Sequence, residues 1–172
     1  MRGPIALIGN MGAGKTSVGK ELSRLLGWHL IDIDRVVELQ EGMTIQEIFQ
    51  ERGKASFRGL ESMALGTSCA DPFSIISCGG GIVESEKNVS VLKECPHVVY
   101  LMADVDTLAS RVGNGSTRPL LKDGVKNTLE RLQKRRDPLY RALATIVVDT
   151  SDMSAQDVAA LILQRLGDYD ES

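Results

Sequence analysis

Pro4-Ile5-Ala6-Leu7-Ile8 runs straight into Gly9-Asn10-Met11-Gly12-Ala13-Gly14-Lys15-Thr16, and this join decides the fold. A short apolar strand followed by Gly-x-x-x-x-Gly-Lys-Thr at the start of a helix is the phosphate-binding P-loop in the context it requires. Its glycines let the backbone turn N–H groups inward, and the helix N-terminus behind them adds a positive dipole end. Gly12, Ala13, Gly14, Lys15, Thr16 and Ser17 are therefore candidate contacts to a nucleoside triphosphate. Lys15 can reach the β- and γ-phosphates, and the Thr16 hydroxyl can ligate Mg²⁺. A dinucleotide-binding fingerprint competes for the same stretch, with Asp32 downstream as its acidic residue. That pattern wants a glycine where Ser17 stands and has no use for Lys15, so the triphosphate reading is preferred.

The 172 residues suffice for one domain with a full core, and residues 1–172 are expected to form one. Hydrophobic residues at 42% and charged residues at 25% match a soluble globular protein rather than a membrane or disordered one. No apolar stretch approaches the ~20 residues of a membrane span. The N-terminus enters the first strand with no room for a signal peptide. Cys69, Cys78 and Cys95 are odd in number and lack metal-ligand spacing, so they read as reduced, mostly buried thiols in a cytoplasmic protein.

A net charge of −3 argues against a general nucleic-acid binder. The charge is unevenly placed, with nine Lys/Arg against three Asp/Glu between Arg111 and Arg141. Lys126, Arg131 and Lys134 read as a solvated helical face. The rest of that segment has another use, because basic groups can close over phosphates and shield their charge.

Apolar runs alternate with amphipathic stretches, the pattern of a parallel sheet with helices on both faces. Expected strands are Pro4–Ile8, His29–Ile33, Phe73–Ser77, His97–Leu101 and Thr145–Val148, each dense enough in Ile, Val or Leu to be buried on both faces. Expected helices start near Lys15, Thr44, Glu84, Asp104, Val125 and Ser154. Thr44-Ile45-Gln46-Glu47 reads as a capping box opening a helix that continues to about Gly66. Gly113 to Gly124 is a long, partly basic connection between two helices, and such connections tend to be lids. The lid is expected over about residues 112–124, and the acidic tail, 168–172, is expected to fray.

A P-loop alone binds a nucleotide without naming a reaction. Ile31-Asp32-Ile33-Asp34 ends the second strand, where ligands gather in open parallel sheets. Period-two alternation puts both aspartates on one side, one to position Mg²⁺ and one to orient an attacking hydroxyl. The competing account has Asp34 capping a following helix. Arg58 and Glu61 share a helical face and by themselves read as a surface pair. Cys78-Gly79-Gly80-Gly81 suggests close ligand approach to main-chain N–H groups, against a tight structural turn. Arg136 in isolation reads as a surface charge, and Pro138 marks a break or kink in its helix.

Together these residues bear a resemblance. The P-loop Gly9–Ser17, Asp32-Ile33-Asp34, Phe57-Arg58-x-x-Glu61, Gly79-Gly80-Gly81, Arg118-Pro119-Leu120-Leu121 and Arg136-x-x-x-Tyr140-x-x-x-Ala144 resemble the shikimate kinase pattern, in order and spacing, across about residues 4 to 165. The resemblance implies a three-layer P-loop fold like that of nucleoside monophosphate kinases, with a five-stranded parallel sheet flanked by helices and a mobile lid. It implies ATP- and Mg²⁺-dependent phosphorylation of the 3-hydroxyl of shikimate, on the route to chorismate and the aromatic amino acids. By motif correspondence Asp34 holds the reacting hydroxyl, while Arg58 and Arg136 grip the substrate carboxylate. Gly79, Gly80 and Gly81 line the substrate, Lys15 and the lid residue Arg118 act on the phosphates, Thr16 and Asp32 serve the metal, and Arg111 lies near the adenine. Thr150 to Ser154 stands where the family's adenine loop should follow the last strand.

The enzyme is expected to be a cytoplasmic monomer acting on a small molecule, with no nucleic-acid or membrane partner. The nearest alternative is a related P-loop kinase for gluconate or a nucleoside monophosphate. It would not be expected to combine Arg58, the triple glycine and Arg136. A GTPase switch should carry an Asn-Lys-x-Asp motif, and this chain has none.

Overall fold

The fold was determined as a computed structural model that describes residues 3–112 and 124–170. The elements run β1 (Ile5–Ile8), α1 (Lys15–Leu26), β2 (His29–Asp32), α2 (Ile33–Glu41), α3 (Ile45–Cys69), β3 (Ser74–Ser77), a 3₁₀ turn (Ile82–Glu84), α4 (Glu86–Glu94), β4 (His97–Met102), α5 (Val105–Val112), α6 (Val125–Leu143), β5 (Ile146–Asp149) and α7 (Ala155–Asp170). All strand pairings are parallel, in the order β2-β3-β1-β4-β5. This is the five-stranded α/β architecture expected from the sequence.

Side-chain alternation on β1 divides the core between the two faces of the sheet. Ile5 and Leu7 pack with Val18 and Leu22 of α1 and with Val158 and Ile162 of α7. Ala6 and Ile8 pack with Val37 of α2, Leu65 of α3 and Tyr140 of α6. All four β1 residues have no exposed surface, so a strand of only four residues anchors both layers. Because β1 lies between β3 and β4, its carboxyl end is where the winding direction of the sheet reverses. Ligand crevices form at such points, and the P-loop follows directly.

Several expectations change. The second strand stops at Asp32, and Ile33 opens α2, a helix missing from the expected set. Ile33 and Val37 are buried one turn apart, so helical spacing wins over strand alternation here. Asp34 thus stands in the first turn of α2 rather than on the strand. Asp32 is the cap, accepting the Arg35 N–H at 3.2 Å. β2 is an edge strand and is not buried on both faces; Trp28 beside it is half-buried, edge-on to Phe73 at 5.7 Å between centroids.

The capping box at Thr44 and Glu47 forms as read, but α3 runs to Cys69 and is interrupted at Gly53, whose φ is +80°. The helix expected near Glu84 begins at Glu86, and Glu84 instead ends the 3₁₀ turn. α6 continues through Pro138 without a break. The exposed proline ring costs one backbone bond, and buried Leu129, Leu132, Arg136 and Tyr140 hold the helix in place regardless. The lid expected over about 112–124 falls on residues 113–123, outside those described, as do 171 and 172 at the end of the tail.

Candidate active site

The P-loop owes its shape to what surrounds it. Gly9 has φ +146°, and a methyl group placed on it would overlap the Leu101 carbonyl of β4. Only glycine permits both the dihedral and the approach. Lys15 rests on the loop itself, its Nζ donating to Gly9 O at 2.7 Å and Asn10 O at 2.8 Å. A triphosphate seated in the loop would offer that ammonium stronger, charged acceptors.

A cavity of about 460 Å³ opens over the loop, lined by Gly12 to Val18, Asp32, Asp34, Ser77, Gly79 and Gly80, Arg111, Thr150 and Met153. Arg111 donates to Thr150 O at 2.6 Å and Thr150 Oγ1 at 3.0 Å, and its Nη1 lies 3.4 Å from Gly12 O. One guanidinium therefore ties α5 to the P-loop and to the segment after β5. The Thr150–Ser154 stretch expected near the adenine contributes Thr150 and Met153 to this cavity.

Thr16 Oγ1 lies 3.3 Å from Asp32 Oδ2 and 3.4 Å from Ser77 Oγ. Two hydroxyls and a carboxylate are hard oxygen donors, suited to Mg²⁺, which typically uses one or two carboxylates with water and substrate phosphates. Ser77 escaped the sequence reading because a lone serine inside a strand carries no motif signal.

On the opposite side of the loop, two arginines meet. Arg58 and Glu61, a surface pair when read in isolation, point inward: Arg58 Nη1 donates to Glu61 Oε2 at 2.7 Å, the Arg58 side chain is 17% exposed, and Glu61 has no exposed surface. Burial pushes the Glu61 carboxyl above its ordinary range despite the pull of Arg58. Arg136, a surface charge when read in isolation, is only 4% exposed. It reaches Glu84 Oε1 through Nε at 3.2 Å, while Arg58 Nη2 stands 3.5 Å from Glu84 Oε2. Arg58 Nε is buried with no hydrogen-bond partner, a donor the protein leaves unsatisfied.

The triple glycine explains how so many charges fit together. A methyl group on Gly79 would stand 3.1 Å from Asp34 Oδ1, one on Gly80 3.1 Å from Arg136 Nη1, and one on Gly81 would overlap Arg58 Nη2. The space a Cβ would need at each glycine is thus bordered by the charged side chains of Asp34, Arg136 and Arg58. Tyr140 Oη reaches Gly80 O at 2.5 Å and fixes the turn from the far side. Asp34, Arg58, Gly79–Gly81 and Arg136 come together; Arg118 lies outside the described residues. Glu84 and Asn88 join the network without having been singled out in the sequence, since each is an isolated polar residue, and Asn10 joins it from within the P-loop.

A P-loop at the switch point of this sheet, facing a second polar half-site across one crevice, defines an ATP-dependent phosphotransferase. A shikimate kinase family model matches residues 11–167. The chain belongs to the shikimate kinase family. It is 40% identical over 168 residues to a shikimate kinase of Dehalococcoides mccartyi, covering 98% of this chain and 96% of that one. Its fold superposes on a shikimate kinase from Acinetobacter baumannii in complex with shikimate, with a TM-score of 0.93, 36% identity, and coverage of 97% and 94% of the two chains. A gluconokinase from Sinorhizobium meliloti 1021 gives a TM-score of 0.63 at 19% identity, covering 99% and 97%, a likeness of fold alone.

Proposed function

We propose that this chain transfers the γ-phosphoryl group of ATP to the 3-hydroxyl of shikimate, releasing shikimate 3-phosphate and ADP on the route to chorismate and the aromatic amino acids. The observation that carries this reading is the meeting of two largely buried arginines, Arg58 and Arg136, at one carboxylate beside the triple glycine. Planar guanidiniums bind a carboxylate through paired N–H groups, which suits a small hydroxylated acid. The Acinetobacter baumannii relative, whose structure contains shikimate, supports the same choice of acceptor.

In this mechanism Arg58 and Arg136 fix the acceptor by its carboxylate, and Gly79–Gly81 leave room for its ring. Asp34 accepts a hydrogen bond from the 3-hydroxyl and takes its proton as the oxygen bonds to the γ-phosphorus and the bond to the ADP oxygen breaks. Lys15 leaves the Gly9 and Asn10 carbonyls for the β- and γ-phosphates, and Gly12–Ser17 donate main-chain N–H groups to them. Arg111 stands by the nucleoside. Thr16 and Asp32 would hold Mg²⁺, which supplies further neutralisation of phosphate charge. Arg118 adds a positive charge from the lid, which would also exclude water as a rival acceptor.

Three free cysteines fit a cytoplasmic setting. No helix among the described residues is long and apolar enough to cross a membrane, and the net charge of −3 gives little attraction for nucleic acid.

The test is ADP release from ATP and Mg²⁺ with a panel of acceptors. Shikimate should support rapid release, whereas gluconate and AMP should not. Equal turnover with AMP would sink the assignment.

A further inference from the structure

Glu84 occupies an unexpected place. Its side chain is 13% exposed and stands among four cations. Oε1 accepts from Arg136 Nε at 3.2 Å and from Arg135 Nη2, while Oε2 lies 3.5 Å from Arg58 Nη2 and 3.7 Å from Lys54 Nζ. Two of these partners, Arg58 and Arg136, are the pair assigned above to the acceptor's carboxylate. Each turns toward Glu84 an N–H group that an incoming carboxylate could use.

The two glutamates of the cluster are not equivalent. Glu61 is fully buried, 2.7 Å from Arg58 Nη1, and also receives Asn88 Nδ2 at 3.0 Å. It is a fixed part of the scaffold. Glu84 keeps some exposure and holds Arg58 at a longer distance, on a 3₁₀ turn of three residues. Arg135 and Lys54, 56% and 61% exposed, flank it on the solvent side and give its carboxylate somewhere to go. Burial tends to raise the Glu84 carboxyl, but Arg136 and Arg135 outweigh it and hold the group below its ordinary range, so it is ionised at neutral pH.

Resting on the acceptor-site reading, we infer that Glu84 is a specificity-determining internal carboxylate, which occupies the Arg58–Arg136 pair and must yield those N–H groups to the acceptor's carboxylate. Its charge lowers affinity for any anion at the pair. An acceptor with ring hydroxyls that reach Asp34 and the glycine turn compensates for that loss, whereas a simple anion cannot. Glu84 thereby keeps stray anions out of a site crowded with cations.

Glu84→Gln tests this, because it removes the charge and keeps an oxygen for Arg136 Nε. Isothermal titration calorimetry on the full chain should show Kd for shikimate falling about five-fold, as expected for losing one partly screened like charge nearby. Sulfate, which has no ring hydroxyls, should bind the variant and compete with shikimate, while leaving the wild type almost untouched. Glu84→Ala also removes the charge and must move the sulfate constant the same way, and Glu84→Asp should stay close to wild type. A weaker Kd for shikimate in Glu84→Gln, with sulfate still excluded, would overturn the inference and make Glu84 a clamp that holds the arginines in place; unchanged constants would overturn it as well. If wild-type enzyme neither binds nor phosphorylates shikimate, the proposed function fails. If it does both and the variant binds no tighter, only this inference fails.

Discussion

The Tyr140 hydroxyl stands 3.2 Å from Asn10 Oδ1, and Asn10 Nδ2 donates to Gln133 Oε1 of the same helix at 2.5 Å, so α6 is tied to the P-loop itself. The same helix carries Arg136 one turn earlier, and Arg136 Nη1 lies 3.5 Å from the same Asn10 oxygen. The nucleotide and acceptor halves of the site therefore share a joint. Tyr140→Phe should keep the tilted stack on Tyr100, whose centroid is 4.8 Å away, but leave the Gly80 carbonyl without its donor. An unfolding free energy lower by about 1–2 kcal/mol is expected in urea denaturation, together with a raised KM for shikimate.

Arg58→Ala and Arg136→Ala should separate the two substrates. Removing either buried cation should weaken shikimate binding by about 2–5 kcal/mol and leave ATP binding nearly intact. Steady-state kinetics with each substrate varied in turn will check this. An unchanged KM for shikimate would count against both roles. Asp34→Asn, by contrast, should act mainly on kcat.

Gly81→Ala offers a narrower perturbation. Gly81 has φ −88°, so alanine meets no backbone strain, but its methyl group would overlap Arg58 Nη2. The guanidinium must shift, and that strains its 2.7 Å contact with buried Glu61. The thermal unfolding midpoint should therefore fall, and KM for shikimate should rise because the guanidinium has been displaced.

How much of this could be read from the sequence follows from the range of each signal. The P-loop, the capping box at Thr44 and the five strands are local patterns, and each appears where its pattern lies. Asp34 was placed on the wrong element because two aspartates on either side of Ile33 fit a strand as well as the first turn of a helix. The Ile33–Val37 spacing was the cue for α2. Read in isolation, Arg136 and Glu61 belong to the surface, as charged residues usually do. Their burial depends on partners 27 to 126 residues away, among them Glu84, Asn88 and Asn10, which periodicity does not reveal. Only the ordered set of motifs brought those distant residues to one site.

Glu61 also gives a pH dependence with a definite sign. Burial raises its carboxyl in the fold, so the folded state holds the proton more tightly than the unfolded chain. The contribution favours folding fully below the unfolded value and is lost as pH rises through the raised folded value. Glu61→Gln cannot titrate. The stability of wild type relative to this variant should therefore decline from acid toward neutral pH and then level off, as followed by urea denaturation at a series of pH values. A difference independent of pH would contradict the raised carboxyl.

The central claim concerns which bond is made. After wild-type enzyme has acted on ATP, Mg²⁺ and shikimate, phosphorus and proton NMR of the product locates the new phosphate directly. A phosphate coupled to the ring proton at carbon 3, in amounts matching the ADP formed, is the expected result. ADP formed with inorganic phosphate and unaltered shikimate, or a phosphate on another hydroxyl, would contradict it.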